Sequence, residues 1–232
     1  MKSVVCCVML LFIGGIVECT ARASVQGFLE GALQSSLILQ SRNHNDPPAG
    51  KLPITLYYES LCPYCRAFVT EQLNPSMVRQ DRLAFTELTL VPYGNARKDN
   101  TTGKVTCQHG ELECELNAWH GCILEHHNIT DALKLIACMM RSGKNQIDKC
   151  ATRYNIDVAA VKECKKSRSV EDILEKYRKE TQKIVHLYSG VPAIAVDNVY
   201  NQADQNDLTD NFDDFFCAKY EAKFNKKLKN CL

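Results

Sequence analysis

A pair of cysteines between a predicted strand and a predicted helix constrains the fold of this chain most. The segment LPITLYYESLCPYCRAFV starts with a β-branched and aromatic run, Leu52–Tyr58, that is typical of a buried strand. After Cys62 and Cys65 the apolar residues recur with helical spacing. Leu83–Pro92 then alternates apolar and polar residues, which predicts a second strand. Strand, helix and strand in this order form a βαβ unit.

The rest of the chain predicts how that unit is completed. From about residue 107 to 188 the apolar spacing is helical, and Ser169–Tyr188 is its strongest helix. Two short strands, Ala193–Val196 and Val199–Asn201, then flank an Asp-Asn pair that favours a two-residue hairpin turn. Leu208–Phe224 again has helical spacing. This order predicts the α/β class: a thioredoxin-like fold with a disulfide-stapled helical insertion between the second and third strands.

The N-terminus has the pattern of a secretory signal peptide. Residues 1–23 contain a lysine, an apolar run and then the small residues Ala21 and Ala23. The apolar run is short for a membrane span, so no stable membrane insertion is predicted. Residues 24–50 are a leader, either a docked helix or a removable pro-segment, that ends in a linker. Residues 51–232 form the predicted thioredoxin-like domain.

The cysteine count supports an oxidising compartment. The chain has thirteen cysteines, of which three precede residue 23 and ten follow it. An even number in a secreted chain indicates disulfides, although the sequence does not determine which cysteines pair. The eight structural disulfide candidates outside the C-x-x-C pair are Cys107, Cys114, Cys122, Cys138, Cys150, Cys164, Cys217 and Cys231.

Charge and sequons limit the classes of partner and the compartment expected for this chain. The formal net charge is +1, which argues against a nucleic-acid partner. Asn100 and Asn128 each begin an N-x-[ST] sequon and are predicted N-glycosylation sites. The two sequons fit a glycoprotein of the secretory pathway.

The C-x-x-C pair itself fits a redox site, half of a zinc site or a structural disulfide. Cys62 falls at the predicted helix N-cap, where unpaired N–H groups and the helix dipole favour a thiolate. Pro63 and Tyr64 form the turn, with Pro63 at the first helical position, where its missing N–H costs nothing. Cys65 would lie one turn further on, less exposed.

The other two interpretations have less support. A zinc site needs two more ligands, which Cys107 with His109, or Cys114 with His120, would have to supply, and the chain has no second C-x-x-C. No metal and no cofactor are therefore predicted. A structural disulfide is disfavoured because C-x-x-C closes a very tight ring.

The redox interpretation predicts a second element, a proline beside the cysteines. In a thioredoxin-like layout, the loop before the third strand brings a cis-proline next to the cysteine pair, and Val191-Pro192 stands in that loop. A cis bond there would leave the Val191 backbone free to pair with an extended substrate. Val191 and Pro192 are therefore the predicted substrate-binding residues.

One further motif carries a family resemblance. CQHGELECELN resembles the C-Q-H-G-x2-E-C-x2-N signature of the gamma-interferon-inducible lysosomal thiol reductase (GILT) family, and LVPYGNA and GVPAIAVDN are also similar to that family. The resemblance covers about Leu52 to Cys217. The signature positions are Cys107, Gln108, His109, Gly110, Glu113, Cys114 and Asn117.

The resemblance implies a lysosomal or secreted glycoprotein that reduces disulfides of partly unfolded proteins at acidic pH. Cys62 would be the nucleophile, Cys65 the resolving thiol, and a small thiol or dithiol the electron donor. Two other functions remain open: a thiol oxidase or disulfide isomerase of the same fold, and a secreted binding glycoprotein with little catalysis. Within the signature, His109 lies near the redox pair, or the polar residues satisfy backbone groups where the insertion leaves the sheet.

Overall fold

The computed structural model describes residues 50–231. A four-stranded sheet forms its centre, with strand order β2-β1-β5-β6. β1 (Leu52–Tyr58) pairs in parallel with β2 (Thr86–Pro92) and antiparallel with β5 (Ala193–Val196), which pairs antiparallel with β6 (Val199–Tyr200). This is the order and direction of the thioredoxin-like fold, so the predicted fold class is confirmed. A small hairpin of β3 (Arg97–Lys98) and β4 (Val105–Thr106) follows β2.

The helix after the cysteines changes its winding. An α-helical turn, α1 (Pro63–Ala67), continues as two π-helical stretches, Phe68–Leu73 and Pro75–Arg79. The Asn74 N–H bonds to the Val69 carbonyl, five residues back. A proline inside a helix has no N–H and its ring crowds the carbonyl four residues earlier, so a wider turn beside Pro75 relieves both problems.

Five helices form the insertion between β4 and β5. They are α2 (Glu111–His126), α3 (Ile129–Ser142), α4 (Ile147–Tyr154), α5 (Ala159–Ser167) and α6 (Val170–Gln182). Disulfides join Cys122 of α2 to Cys164 of α5, and Cys138 of α3 to Cys150 of α4. α2 and α6 also contact β2, so the insertion packs directly on the sheet.

The C-terminal helices cover the core around β1 and β5. α7 (Gln205–Asp210) and α8 (Phe212–Phe224) follow a 3₁₀ turn, Gln202–Asp204. α8 buries Phe212, Phe216 and Tyr220, and the ring of Phe212 packs edge-to-face on Phe68. The Cys217–Cys231 disulfide holds the chain end against α8.

Two sequence-based boundaries were wrong. The second strand begins at Thr86, because Arg82–Phe85 form a 3₁₀ turn instead of the start of a strand. The helix predicted over Ser169–Tyr188 ends at Gln182, and the following residues make turns that place the Tyr188 hydroxyl on the Gly94 carbonyl. The Asp-Asn hairpin turn is confirmed, since both Asp197 and Asn198 have positive φ.

The predicted signal peptide and nearly all of the predicted leader lie outside the described residues. Within residues 50–231, no helix has the length and apolar character needed to cross a membrane.

Candidate active site

Cys62 and Cys65 stand where β1 passes into α1. Cys62 is the N-cap of α1 and keeps 6% of its surface exposed, whereas Cys65, one turn later, is 0% exposed. Neither is in a disulfide. The Arg66 N–H bonds to the Cys62 carbonyl at 2.9 Å and closes the first helical turn. The first cysteine is therefore the more exposed residue of the pair.

The two thiols differ strongly in acidity. A hydrogen bond from the Cys65 thiol, followed by the Cys65 and Tyr64 backbone N–H groups and the charge of His109, outweighs burial and lowers the pKa of Cys62 to about 6. Burial and the neighbouring Cys62 sulfur raise the pKa of Cys65 well above its ordinary value. The sequence predicts a lowered pKa for Cys62, but it attributes this to the helix terminus, whereas the largest cause is the partner thiol.

The predicted proline loop lies beside Cys62. The Val191–Pro192 peptide bond is cis, as predicted, and the Val191 carbonyl lies 3.6 Å from the Cys62 sulfur. Both residues also line an open cavity of about 400 Å³ that includes the exposed Tyr64 and the ring of Phe68. A chain lying in this cavity would pass close to the sulfur of Cys62.

The start of α2 holds the segment that leads into the cysteines. The Ser60 N–H donates to the Asn117 Oδ1 at 2.9 Å, and its hydroxyl donates to the Glu113 carbonyl at 3.3 Å. The Leu61 N–H donates to the Glu113 Oε2 at 3.3 Å. Two signature residues therefore satisfy polar groups of Ser60 and Leu61 and fix how the chain enters α1.

The other signature residues, which had no assigned role, lie in and around the turn before α2, and His109 is near enough to the redox pair for its charge to act on Cys62. Gln108 accepts a hydrogen bond from the Asn95 side chain at 2.7 Å, so it binds a side chain and not a backbone group. His109 binds the Glu113 carboxylate through both its backbone N–H and its Nδ1. Gly110 is the N-cap of α2 with φ +85°, which suits glycine. Cys107 and Cys114 pair with each other in a disulfide around this turn.

Glu59 is a site residue that the sequence interpretation missed. It follows β1 directly, is 0% exposed, and accepts a hydrogen bond from the Asn95 N–H at 2.6 Å. Burial raises its pKa to about 7, with further raising by Glu113 and by Cys62. A carboxylate at the end of an otherwise apolar strand, three residues before Cys62, was the available signal.

Arg66 is a second missed residue. Its Nε donates to the Met140 carbonyl at 2.6 Å and its Nη2 to the Arg141 carbonyl at 3.1 Å. The guanidinium therefore caps the C-terminal end of α3 and ties the insertion to the helix that carries the cysteines.

The structure argues against the zinc interpretation, because each proposed ligand pair contains a cysteine that is bound in a disulfide. Cys107 and Cys114 are in a disulfide, and His120 is buried with its Nδ1 3.1 Å from the Tyr58 hydroxyl. Both sequon asparagines are exposed, Asn100 in the β3–β4 turn and Asn128 at the N-cap of α3.

Comparisons with known proteins find relatives of one family over the part of the chain that contains this site. Residues 53–154 match the family model described as Gamma interferon inducible lysosomal thiol reductase (GILT). The chain is 66% identical over 190 residues to GILT-like protein 2 of Drosophila melanogaster, which covers 82% of this chain and 90% of that protein. It is 33% identical over 156 residues to the Gamma-interferon-inducible lysosomal thiol reductase of Mus musculus, which covers 65% of this chain and 62% of the mouse protein.

Among solved structures, the oxidoreductase DsbA from Xylella fastidiosa aligns with a TM-score of 0.48 at 17% identity, over 76% of this chain and 90% of that one.

Proposed function

Because this chain belongs to the gamma-interferon-inducible lysosomal thiol reductase family and is a thiol reductase of protein disulfides, we propose that Cys62 and Cys65 are the reacting thiols. One observation carries this assignment. The two free cysteines share one helical turn, and the more exposed residue has the more acidic thiol. A nucleophile must be both a thiolate and accessible, and a resolving thiol need only face its partner.

The proposed reaction runs in two exchanges. The Cys62 thiolate attacks one sulfur of a substrate disulfide, so a mixed disulfide forms and the first substrate thiolate leaves and takes a proton from solvent. Cys65 then gives up its proton and attacks Cys62, which releases the second substrate thiolate. The enzyme leaves the cycle with a Cys62–Cys65 disulfide, and a small thiol or dithiol donor reduces it again.

We also propose that the reaction operates in acid, as in a lysosome. With a pKa of about 6, about a tenth of Cys62 is thiolate at pH ~5, against about three parts in ten thousand for a thiol of ordinary pKa ~8.5. The lower nucleophilicity of an acidic thiol offsets part of this gain. The larger thiolate fraction still makes the hydrogen-bonded Cys62 a faster nucleophile than an ordinary thiol in an acidic compartment.

Substrate binding is assigned to the loop beside Cys62. An extended, partly unfolded chain lying in the cavity at Val191 and Pro192 would present its disulfide to the sulfur and its backbone to Val191. The signal-peptide pattern and the exposed sequons Asn100 and Asn128 support a glycoprotein that enters the secretory pathway, for a lysosomal or secreted destination.

The test is insulin reduction at pH ~5 with a dithiol donor. We expect Cys62→Ser to abolish turnover. Cys65→Ser should attack the substrate but fail to resolve it, so a covalent complex with insulin accumulates on non-reducing gels, and Cys62→Ser should form none. Glu87→Gln, on the exposed face of β2, is the control and should behave as wild type.

Three outcomes would contradict the assignment. Equal turnover by wild type and Cys62→Ser would show that Cys62 is not a reacting thiol, and absence of turnover in both would indicate a binding glycoprotein. Rearrangement of a scrambled disulfide substrate without net reduction would indicate the isomerase alternative.

A further inference from the structure

The cavity beside Cys62 is a groove, and one of its walls is the helix that carries the cysteines. Tyr64, Ala67 and Glu71 line this wall and are exposed. Residues three and four positions apart lie on the same face of a helix, so these side chains form one continuous surface. The wall therefore leads from the turn that contains the nucleophile into the π-helical stretch that begins at Phe68.

The opposite wall comes from the proline loop and the end of α7. Val191 and Pro192 line the groove at the cysteine, where the Val191 carbonyl lies 3.6 Å from the Cys62 sulfur. Asp210, the last residue of α7, lines it further along. The Gln72 Nε2 donates to the Asp210 carbonyl at 3.1 Å and joins the two walls there. The groove therefore runs from the reacting sulfur to Asp210.

The half of the groove near Cys62 is apolar. Tyr64 is 77% exposed, the largest fraction among the bulky apolar side chains of residues 50–231. Phe68 and Pro192 add further apolar surface. Exposed aromatic rings beside a reactive group are typical contacts for a bound chain, because they offer a large rigid surface at low entropic cost. The aliphatic part of a substrate side chain can pack here.

The half away from Cys62 is negatively charged. Glu71 and Asp210 line it, one from each wall, and both are exposed. Among the described residues no lysine, arginine or histidine lines the groove, and neither carboxylate forms an ion pair with a residue of 50–231. The Asp210 Oδ1 accepts a 3.4 Å hydrogen bond from the Thr209 hydroxyl. Two carboxylates without a cation therefore face the same space.

Lysine and arginine side chains match both halves of the groove. Their aliphatic stems pack on apolar surface while the charged ends stay at the solvent side. A cation near a tyrosine ring gains a further attraction. The formal net charge of the whole chain is +1, so the negative charge of this groove is a local feature. Local charge of one sign favours a partner of the opposite sign and repels one of the same sign.

The helix sets the distance between the sulfur and the carboxylates. Glu71 lies nine residues after Cys62, which is about 13 Å along a helix that rises about 1.5 Å per residue. An extended substrate advances about 3.3 Å per residue. A substrate residue about three or four positions from the half-cystine therefore lies opposite Glu71.

We propose that Glu71 and Asp210 select disulfide substrates that carry a lysine or arginine three or four residues from the half-cystine attacked by Cys62. The basic side chain lies in the groove, with its stem on Tyr64 and its charge between the two walls. The proposal deepens the proposed function and rests on it. Neither carboxylate takes part in the sulfur chemistry, and both act on how readily a substrate is captured.

Matched peptides test the proposal. Each is a disulfide-linked dimer of a peptide with one cysteine, which carries lysine, glutamine or glutamate at the third or fourth position on either side of that cysteine. The rate of reduction at low peptide concentration and pH ~6, where the peptide glutamate is ionised, gives kcat/KM. Each rate is divided by the rate of the same peptide with free dithiol alone, which removes differences in the reactivity of the disulfide itself.

Wild type should reduce the lysine peptide about 3- to 10-fold faster than the glutamine peptide, and the glutamate peptide should be the slowest. Glu71→Gln and Asp210→Asn should each reduce the preference for lysine about 2- to 5-fold. Glu71→Lys should move the preference toward the glutamate peptide. A variant that is merely damaged loses activity on all three peptides alike, so it cannot change their order.

The matched control for the charge change is Glu87→Gln. Glu87 is exposed on β2 and does not line the groove. This variant should keep the wild-type order of the three peptides and the wild-type ratios between them.

Ionic strength supplies a second readout. The Debye length falls from about 10 Å at 0.1 M salt to about 3 Å at 1 M, so the attraction between exposed charges is screened. The preference for lysine over glutamine should therefore shrink toward the ratio seen with free dithiol as salt is raised.

Several results would overturn the proposal. Equal normalised rates for the three peptides would show that the groove accepts a chain regardless of charge. A preference that survives Glu71→Lys, or that is unchanged at 1 M salt, would mean that other contacts select the substrate. If Cys62→Ser is inactive on every peptide in these cases, the proposed reaction stands and the selection alone fails. Turnover by Cys62→Ser would instead contradict the proposed function.

Discussion

The acidity of Cys62 depends on a hydrogen bond from its partner thiol more than on the helix. The Cys65 thiol is the first cause of the lowered pKa, ahead of the backbone N–H groups of α1 and the charge of His109. The two thiols therefore set each other's acidity: the hydrogen bond between them lowers the pKa of Cys62 and raises the pKa of Cys65.

This dependence predicts how Cys62 titrates. In wild type, the thiolate absorbance should have a midpoint near pH 6. Cys65→Ala removes the donor, and because a hydrogen bond to a charged group contributes about 1.5–3 kcal/mol, the midpoint should rise by about one to two pH units. Cys65→Ser keeps a donor and should rise less. An unchanged midpoint in Cys65→Ala would mean that the helix terminus dominates.

His120 predicts a second titration effect, on stability. It is buried against the Tyr58 hydroxyl, and burial lowers its pKa to about 3. Between its ordinary pKa and pH 3 the unfolded chain binds more protons, so this group's contribution to stability is lost as pH falls. At pH ~5 the loss is about 2 kcal/mol.

The measurement is the free energy of urea unfolding at neutral pH and at pH ~5. His120→Gln should be less stable than wild type at neutral pH but lose about 2 kcal/mol less on acidification. His126→Gln, an exposed histidine of the same helix, is the control. A parallel decline of wild type and His120→Gln would show that this histidine is not held neutral.

At the scale of elements, the start of α2 and the loop after β2 together shape the site. Glu113 and Asn117 bind Ser60 and Leu61, and Gly94 packs on the Glu59 side chain. We expect Gly94→Ala to destabilise the fold by about 2–5 kcal/mol, because it adds both positive-φ strain and a clash with Glu59.

The matched control is Gly103→Ala. Gly103 also has positive φ, but a Cβ there meets no atom within 4 Å, so only the strain of about 1–3 kcal/mol should remain. The difference between the two variants in the free energy of urea unfolding gives the cost of the clash with Glu59. Equal losses would show that the loop moves away from Glu59 at little cost.

Apolar periodicity and turn residues were sufficient to predict the four strands of the central sheet, the β5–β6 hairpin turn and the existence of the insertion helices. Periodicity did not predict the short β3–β4 hairpin. It also missed the π-helical stretch, because Phe68 to Arg79 keeps helical spacing while Pro75 widens the turn. The cysteine pair was predictable because its chemistry is local. Glu59 was not, since its role arises from contacts with Asn95, His109 and Glu113, which are far away in sequence.

At the scale of the whole molecule, four disulfides within residues 50–231 cross-link segments outside the central sheet. Two lie within the insertion and join helix to helix: Cys122–Cys164 spans 42 positions and Cys138–Cys150 spans 12. A cross-link removes more entropy from the unfolded chain when it closes a longer loop. The longer bridge should therefore contribute more to the stability of the fold, although both join neighbouring helices of one insertion.

This difference predicts the result of removing each bridge as a pair of Cys→Ala changes. Loss of Cys122–Cys164 should cost about 4 kcal/mol and loss of Cys138–Cys150 about 3 kcal/mol, from loop closure alone. Urea unfolding under non-reducing conditions gives both values. The Cys62 titration should stay the same, since Glu113 and Asn117 bind Ser60 and Leu61 near the other end of α2 from Cys122. A larger loss for the shorter bridge would mean that packing of the buried Cys150, and not chain entropy, sets its contribution.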